Sequence, residues 1–483
     1  MSSRLALDAV MSVGARLVAM VASSITAIVI IGALTKSEYG AYAIVIGINV
    51  VLVGALDLGL TSSISRFIAQ GRATTRLVAI VATLRILLSG VGALLLLVAM
   101  ALPQFEGEAW TDLLPAAAVL LLANSFVAFQ YGTLPALQRI RLLVLLTVLQ
   151  PAAELILVLG VRARGGDAAD MLLAGAIAAG GAGILAWLFI LLVRGGVLGR
   201  ARETVERADA AIPPVTLSDV ATYGRRIFVV SLLMLFIGQV DQFIIAAFHG
   251  AAAVAPYAVV LKLQALITAP ALTITSIVAP RIAGAGAAAL ATYRQWLAFL
   301  IVLHLGAVLV VGVLASEAFG AIDAQYRNDA GILLAMLGYL LFASIAALPS
   351  VTMNQTGLAT ARLRIAAITL TINLVLDLAL VPWLGAYGAA IGTTAAYGYY
   401  VLRHHLLLER SLAADAVAPV APLRPLLVRG AIGAATVAAI AATIAALMRI
   451  GDRHPSDVTV FLVAALVAAV LHTWWCTRLV RSA

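Results

Sequence analysis

The sequence is poor in charge, in cysteine and in lysine. Only 11% of its 483 residues are charged while 63% are hydrophobic, against about 25% charged and about 45–50% apolar in soluble domains. No soluble core absorbs that excess. Cys476 is the only cysteine, which excludes an internal disulfide. Two lysines stand against 29 arginines, a ratio attributed to a GC-rich genome. Soluble-enzyme chemistry is missing as well: there is no Walker loop and no His-Glu-x-x-His, and His249, His304, His404, His405, His454 and His472 are scattered without ligand spacing. The chain is therefore not expected to be an enzyme, and neither metal nor cofactor is expected.

What is present is apolar sequence in long runs, with a mean hydropathy of +1.09. A hydrocarbon layer about 30 Å thick needs about 20 apolar residues per helix. Fourteen such stretches can be placed, near 9–34, 40–62, 78–102, 112–134, 142–161, 171–193, 227–248, 254–277, 295–316, 330–352, 363–383, 386–402, 430–448 and 458–477. The fold class expected is all-α, a polytopic membrane protein of about fourteen helices. The first run is too long for a signal-peptide core and is expected to be retained.

Cationic residues gather in alternate loops. With the amino terminus inside, 22 of the 31 fall in inner segments and six in outer ones, leaving Arg16, Arg85 and Lys262 within spans. By the positive-inside rule both termini are cytoplasmic. The net charge of +9 is thereby accounted for as insertion signals, and no nucleic-acid partner is expected.

The halves are related. Tyr42-Ala43-Ile44-Val45 recurs as Tyr257-Ala258-Val259-Val260, Arg66 recurs as Arg281, and Asn49 lines up with Gln264, all in one register. The repeat spans six crossings, an even number, so the halves have parallel topology. The expected organisation is a six-helix lobe over 1–194, a cytoplasmic linker over 195–226 containing Pro213-Pro214, a second six-helix lobe over 227–410, and a cytoplasmic segment with two additional helices over 411–483.

Charges inside spans are costly unless they face protein or water, and eight stand out: Asp8, Arg16, Asp57, Arg85, Glu154, Asp241, Lys262 and Asp377. Equal depth in adjacent spans makes Arg16 with Asp57, and Asp241 with Lys262, candidate pairs. Two readings stay open. In one, the cations snorkel and the acids are buried partners that fix helix register. In the other, a cationic cavity receives an anionic headgroup; Arg16, Asp57 and Lys262 have no charged counterpart in the other half, which favours a specialised role. Mid-span Pro151 and Pro270 are expected to bend their helices.

Leu34-Thr35-Lys36-Ser37-Glu38-Tyr39-Gly40-Ala41-Tyr42, followed by Asp57-Leu58-Gly59-Leu60 and Arg66, resembles the first two spans of the bacterial polysaccharide flippases in the multidrug/oligosaccharidyl-lipid/polysaccharide exporter superfamily. Gly238-Gln239-Val240-Asp241-Gln242-Phe243 is similar to that family's acidic motif. Asn354-Gln355-Thr356-Gly357 fits as well, and Asn373, Asp377, Pro382, Gly385, Gly388, Ala389 and Ala390 resemble its span 11 to 12 signature. The resemblance implies two six-helix lobes in a V, with two extra carboxyl-terminal helices. It implies transport of an undecaprenyl-pyrophosphate-linked oligosaccharide across the bacterial cytoplasmic membrane by alternating access, with membrane lipid, a glycan polymerase and a chain-length regulator as partners. The matching substrate-binding candidates are Arg16 and Lys262, then Arg85, Arg225 and Arg226, with Asn49 and Gln264 at repeat-related positions. Asp57, Asp241 and Asp377 are the candidates for ion coupling or gating. An ion-coupled multidrug exporter of the same superfamily is the alternative, and a non-transporting role in a glycan-synthesis complex is a third.

Overall fold

The computed structural model describes residues 3–192, 215–282, 287–356, 358–414, 424–450 and 456–481. Among these residues the secondary structure is helical throughout, with no strand. The larger helices are α1 (Ser3–Ile31), α2 (Lys36–Ala55), α3 (Leu60–Ala69), α4 (Thr75–Ala99), α5 (Leu114–Ala136), α6 (Ile140–Ala163), α7 (Ala168–Leu192), α8 (Leu217–His249), α9 (Ala251–Ile282), α10 (Ala287–Val313), α11 (Ala315–Ile322), α12 (Ala330–Ala335), α13 (Leu337–Gln355), α14 (Ala359–Leu384), α15 (Ala386–Ala414), α16 (Arg424–Ile450) and α17 (Asp457–Arg481).

Among the described residues twelve helices are long and apolar enough to cross a membrane, and a thirteenth crossing arises if the segments Ala324–Ala335 and Leu337–Met353, bent by 61°, form one span. The remaining long helix, α15, carries 29 residues but is diluted by Gly, Thr, Tyr and His. Its Thr393, Tyr400 and His404 are buried, so this helix spends polar side chains on the protein interior. A count of fourteen crossings is therefore not confirmed.

The chain divides into two compact units, Met1–Gln239 and Val240–Ala483, and the division falls within α8. In the first unit α1 packs on α6, α5 packs on α4 and α7, and α2 and α3 pack on α5. In the second, α14 lies on α15, α9 on α13, and the terminal pair α16–α17 on α10. Of the linker expected over 195–226, residues 195–214 lie outside the described residues.

The run near 40–62 is two helices rather than one. A capping box starts α2, with the Thr35 hydroxyl accepting from the Glu38 amide and the Glu38 carboxylate accepting from the Thr35 amide. The helix stops at Ala55, the chain turns through Leu58 at φ 49° and Gly59 at φ 73°, and α3 begins at Leu60. Glycine is required at 59 twice over. Its φ lies in the left-handed region, and a Cβ there would collide with the backbone of Gly224 on α8. The close approach clamps the amino-terminal part of α8 on α3, reinforced by the Ser63 hydroxyl donating to the Val220 carbonyl at 2.7 Å. Pro151 and Pro270 lie within the continuous helices α6 and α9.

Candidate functional site

The acidic candidates of the second unit converge. Asp241 on α8, Asp377 and Asn373 on α14, Tyr257 on α9 and Thr393 on α15 are all buried. Asn373 and Asp377 stand one turn apart, so both project from one face of α14, and the Asn373 Nδ2 donates to Asp377 Oδ2 at 3.1 Å. The Tyr257 hydroxyl donates to Asp241 Oδ2, and the Thr393 Oγ1 lies 2.6 Å from the same oxygen. Room for Asp377 comes from Gly392, where any Cβ would fall on Asp377 Oδ1.

The other side of the cluster is short of donors. Oδ1 of Asp241, Oδ1 of Asp377 and Oδ1 of Asn373 are buried, and none receives a hydrogen bond. The Asp241 and Asp377 side chains interact with each other. Buried acceptors left without donors favour an occupant that supplies a hydrogen or positive charge. Oxygen ligands of this kind suit a proton or a hard monovalent cation.

The Asp241 carboxylate expected from depth to face Lys262 is engaged by Tyr257 and Thr393, and the Lys262 side chain is exposed on α9. Tyr257, which falls in the repeated Tyr-Ala segment, is the residue whose role the sequence pattern did not disclose. Thr393 likewise carried no signal beyond proximity to the glycine-rich start of α15.

In the first unit Asp57 pairs with Arg85 on α4 rather than with Arg16. The side chains are nearly excluded from solvent, at 5% exposure for Arg85 and 17% for Asp57. Arg85 Nη1 also donates to the Thr61 hydroxyl oxygen, and its Nε donates to the Ser125 carbonyl at 3.1 Å. Asp57 meanwhile accepts from the Thr61 amide at 3.3 Å, capping the start of α3. Depth along a span identified Asp57 as needing a cation but not which helix supplies it.

The remaining candidates separate. Arg16 on α1 and Arg225 on α8 are exposed. The side chain of Arg226 lies outside the described residues, as does that of Asp8. Asn49 is buried, donates from Nδ2 to the Ala117 carbonyl at 3.0 Å and accepts from Asn124 at 3.2 Å. Gln264 is half-buried and donates to the Thr268 hydroxyl at 2.8 Å. Asn49 thus ties α2 to α5, whereas the Gln264 bond stays within α9.

Solved structures share this fold. The inward closed form of the lipid II flippase MurJ superposes with a TM-score of 0.68 at 13% identity, covering 99% of each chain. An inward-facing multidrug resistance MATE family transporter of the MOP superfamily gives 0.63 at 16% identity over 84% of this chain and 98% of its own. A MOP superfamily transporter from Pyrococcus furiosus, described by a binding pocket of reverse polarity, gives 0.55 at 16% identity over 85% and 95%. No curated protein matches the sequence. The model of the family described as polysaccharide biosynthesis protein matches residues 6–285. That match runs from the first turn of α1 through α9, taking in the break at Asp57–Gly59 and the Asp241–Tyr257 contact, and on its strength the chain belongs to the polysaccharide biosynthesis protein family.

Proposed function

We propose that this protein is a flippase that carries an undecaprenyl-pyrophosphate-linked oligosaccharide repeat unit from the inner to the outer leaflet of the bacterial cytoplasmic membrane. Alternating access is the mode of transport, exopolysaccharide, O-antigen or a related glycan is the product, and both termini face the cytoplasm. The observation that carries this reading is the extent of the fold. Likeness to a lipid II flippase runs over 99% of both chains, whereas the multidrug transporter accounts for 84% of this one. Membership of a polysaccharide biosynthesis family points the same way.

The residues divide the work by exposure. Arg16 and Lys262, both exposed, are the cations offered to the pyrophosphate. The buried acceptors of Asp241, Asp377 and Asn373 take up the proton or monovalent cation whose gradient drives the return step, since the chain carries no nucleotide-hydrolysing motif. A glycan polymerase and chain-length regulator receive the exported unit.

The test is the accessibility of the lipid-linked oligosaccharide to an outer-face probe, in cells deleted for the gene and in cells complemented with wild type or Lys262→Ala. Exposure restored by wild type alone, with the variant equally abundant, supports flipping. Equal exposure in all three strains, in a background without a second flippase, overturns it and leaves the ion-coupled drug exporter, for which altered drug susceptibility on deletion is the readout.

A further inference from the structure

A cavity at the inner end of the first unit is built from opposite charges held apart. It has a volume of about 230 Å³ and is lined by Phe67, Arg72, Asp219, Thr222 and Tyr223. The floor is fixed: Val220 and Val215 are buried in one apolar cluster with Leu60, Ile64, Phe67 and Leu77. The Val215 amide donates to the Arg72 carbonyl at 3.3 Å. Phe67 and Tyr223 meet edge to face at 6.1 Å, and the Arg66 guanidinium covers the Tyr223 ring at 4.3 Å.

Both charges are constrained. Asp219 is anchored by Thr216, whose amide and hydroxyl donate to Oδ2 at 2.9 and 2.7 Å, and these bonds lower its pKa. Arg72 lies over Phe67, 5.8 Å from the ring centre, and its Nε is buried with no hydrogen-bond partner. The two charges act on each other without closing into an ion pair. A buried guanidinium N–H left without an acceptor is destabilising, so the arrangement favours a ligand that supplies one.

We infer that this cavity holds a zwitterionic phosphoethanolamine headgroup of a membrane phospholipid. The phosphate accepts from Arg72 Nε and the Thr222 hydroxyl, and the ammonium lies against Asp219. The volume of about 230 Å³ leaves room for a headgroup of this size. Acyl chains have a course to follow, because Ile80 on α4 and Leu217 and Val229 on α8 are exposed. A purely anionic headgroup satisfies Arg72 but meets Asp219 unfavourably, and a quaternary amine cannot donate a hydrogen bond to it. The site is separate from the carboxyl cluster of the second unit and independent of what is transported.

The experiment is native mass spectrometry of the full chain released from nanodiscs of equimolar phosphatidylethanolamine, phosphatidylcholine and phosphatidylglycerol. Wild type is expected to retain phosphatidylethanolamine preferentially, and Arg72→Gln and Asp219→Asn each to reduce that retention by about tenfold, the effect of losing one charged hydrogen bond. Arg76→Gln, an exposed neighbour outside the cavity, is expected to behave as wild type. Equal retention of phosphatidylglycerol or of phosphatidylcholine by wild type overturns the inference, as does unchanged retention in both variants. A second readout needs no variant: O-phosphoethanolamine should displace the lipid from wild type, and displacement by inorganic phosphate at the same concentration would show a free phosphate site instead.

Discussion

Arg85 reaches from α4 to hold Asp57 at the point where the second span breaks, and the same guanidinium nitrogen bonds the Thr61 hydroxyl in the first turn of α3. One cation therefore neutralises the acid, fixes the start of α3 and ties the break to a neighbouring helix. Broken helices at membrane depth persist only where protein satisfies their freed backbone groups, and here the Asp57 carboxylate accepts the Thr61 amide.

Removing one partner of that pair leaves the other buried and uncompensated, a loss of about 3–5 kcal/mol. Arg85→Gln is thus expected to lower the thermal midpoint of the purified protein markedly. The double variant Asp57→Asn/Arg85→Gln, with no charge left to bury, is expected to recover most of the loss. Midpoints for Arg85→Gln indistinguishable from wild type would show that Asp57 finds another partner.

The approach of Gly59 to Gly224 makes a sharper demand. Alanine in a left-handed conformation is destabilising by roughly 1 kcal/mol, and at Gly59 its Cβ would also overlap the Gly224 carbonyl. Gly107 has φ 85° but open space around it. Gly59→Ala is therefore expected to lose far more stability than Gly107→Ala, measured as folded yield and thermal midpoint on gel filtration. Equal effects would mean that the α3–α8 contact yields easily.

These features also show where the sequence stopped being informative. Apolar runs and the arginine bias disclose a polytopic helical protein because each reports on solvent, a property local to its segment. The break at Asp57–Gly59 is hidden because Leu56, Leu58 and Leu60 keep the run apolar through the turn. Partner choice is a three-dimensional property: Asp57 looked equally well placed for Arg16, and only the packing of α4 delivers Arg85. The carboxyl cluster was half visible, since Asp241, Asn373 and Asp377 stood out as polar groups in apolar spans. Their convergence depends on how α8, α9, α14 and α15 pack.

That convergence predicts a cation dependence. If a proton or monovalent cation fills the gap among Asp241, Asp377 and Asn373, wild type should be stabilised by sodium over choline, or by lowering the pH, according to which occupant it takes. Asp241→Asn and Asp377→Asn should abolish that response, and the neutralised proteins should be no less stable than wild type in choline, because two nearby carboxylates repel. A thermal response to sodium and pH identical in wild type and both variants would remove the cluster from the coupling step.

Stability measured beside transport separates a substrate-binding role for Arg16 and Lys262 from a structural one. If they serve the substrate, Arg16→Ala and Lys262→Ala should leave the thermal midpoint of the purified protein near that of wild type, within about 0.5 kcal/mol; a lowered midpoint would mark a structural role. A cation that meets the pyrophosphate contributes charge-assisted hydrogen bonds of about 1.5–3 kcal/mol, so outward exposure of the lipid-linked oligosaccharide should fall by about tenfold or more. Lys262→Arg keeps the charge and should retain a large part of the activity, whereas Lys262→Gln keeps the length without it. Activity lost in Lys262→Gln and retained in Lys262→Arg, at equal stability, is the signature of an anion contact; equal activity in both would place the pyrophosphate elsewhere.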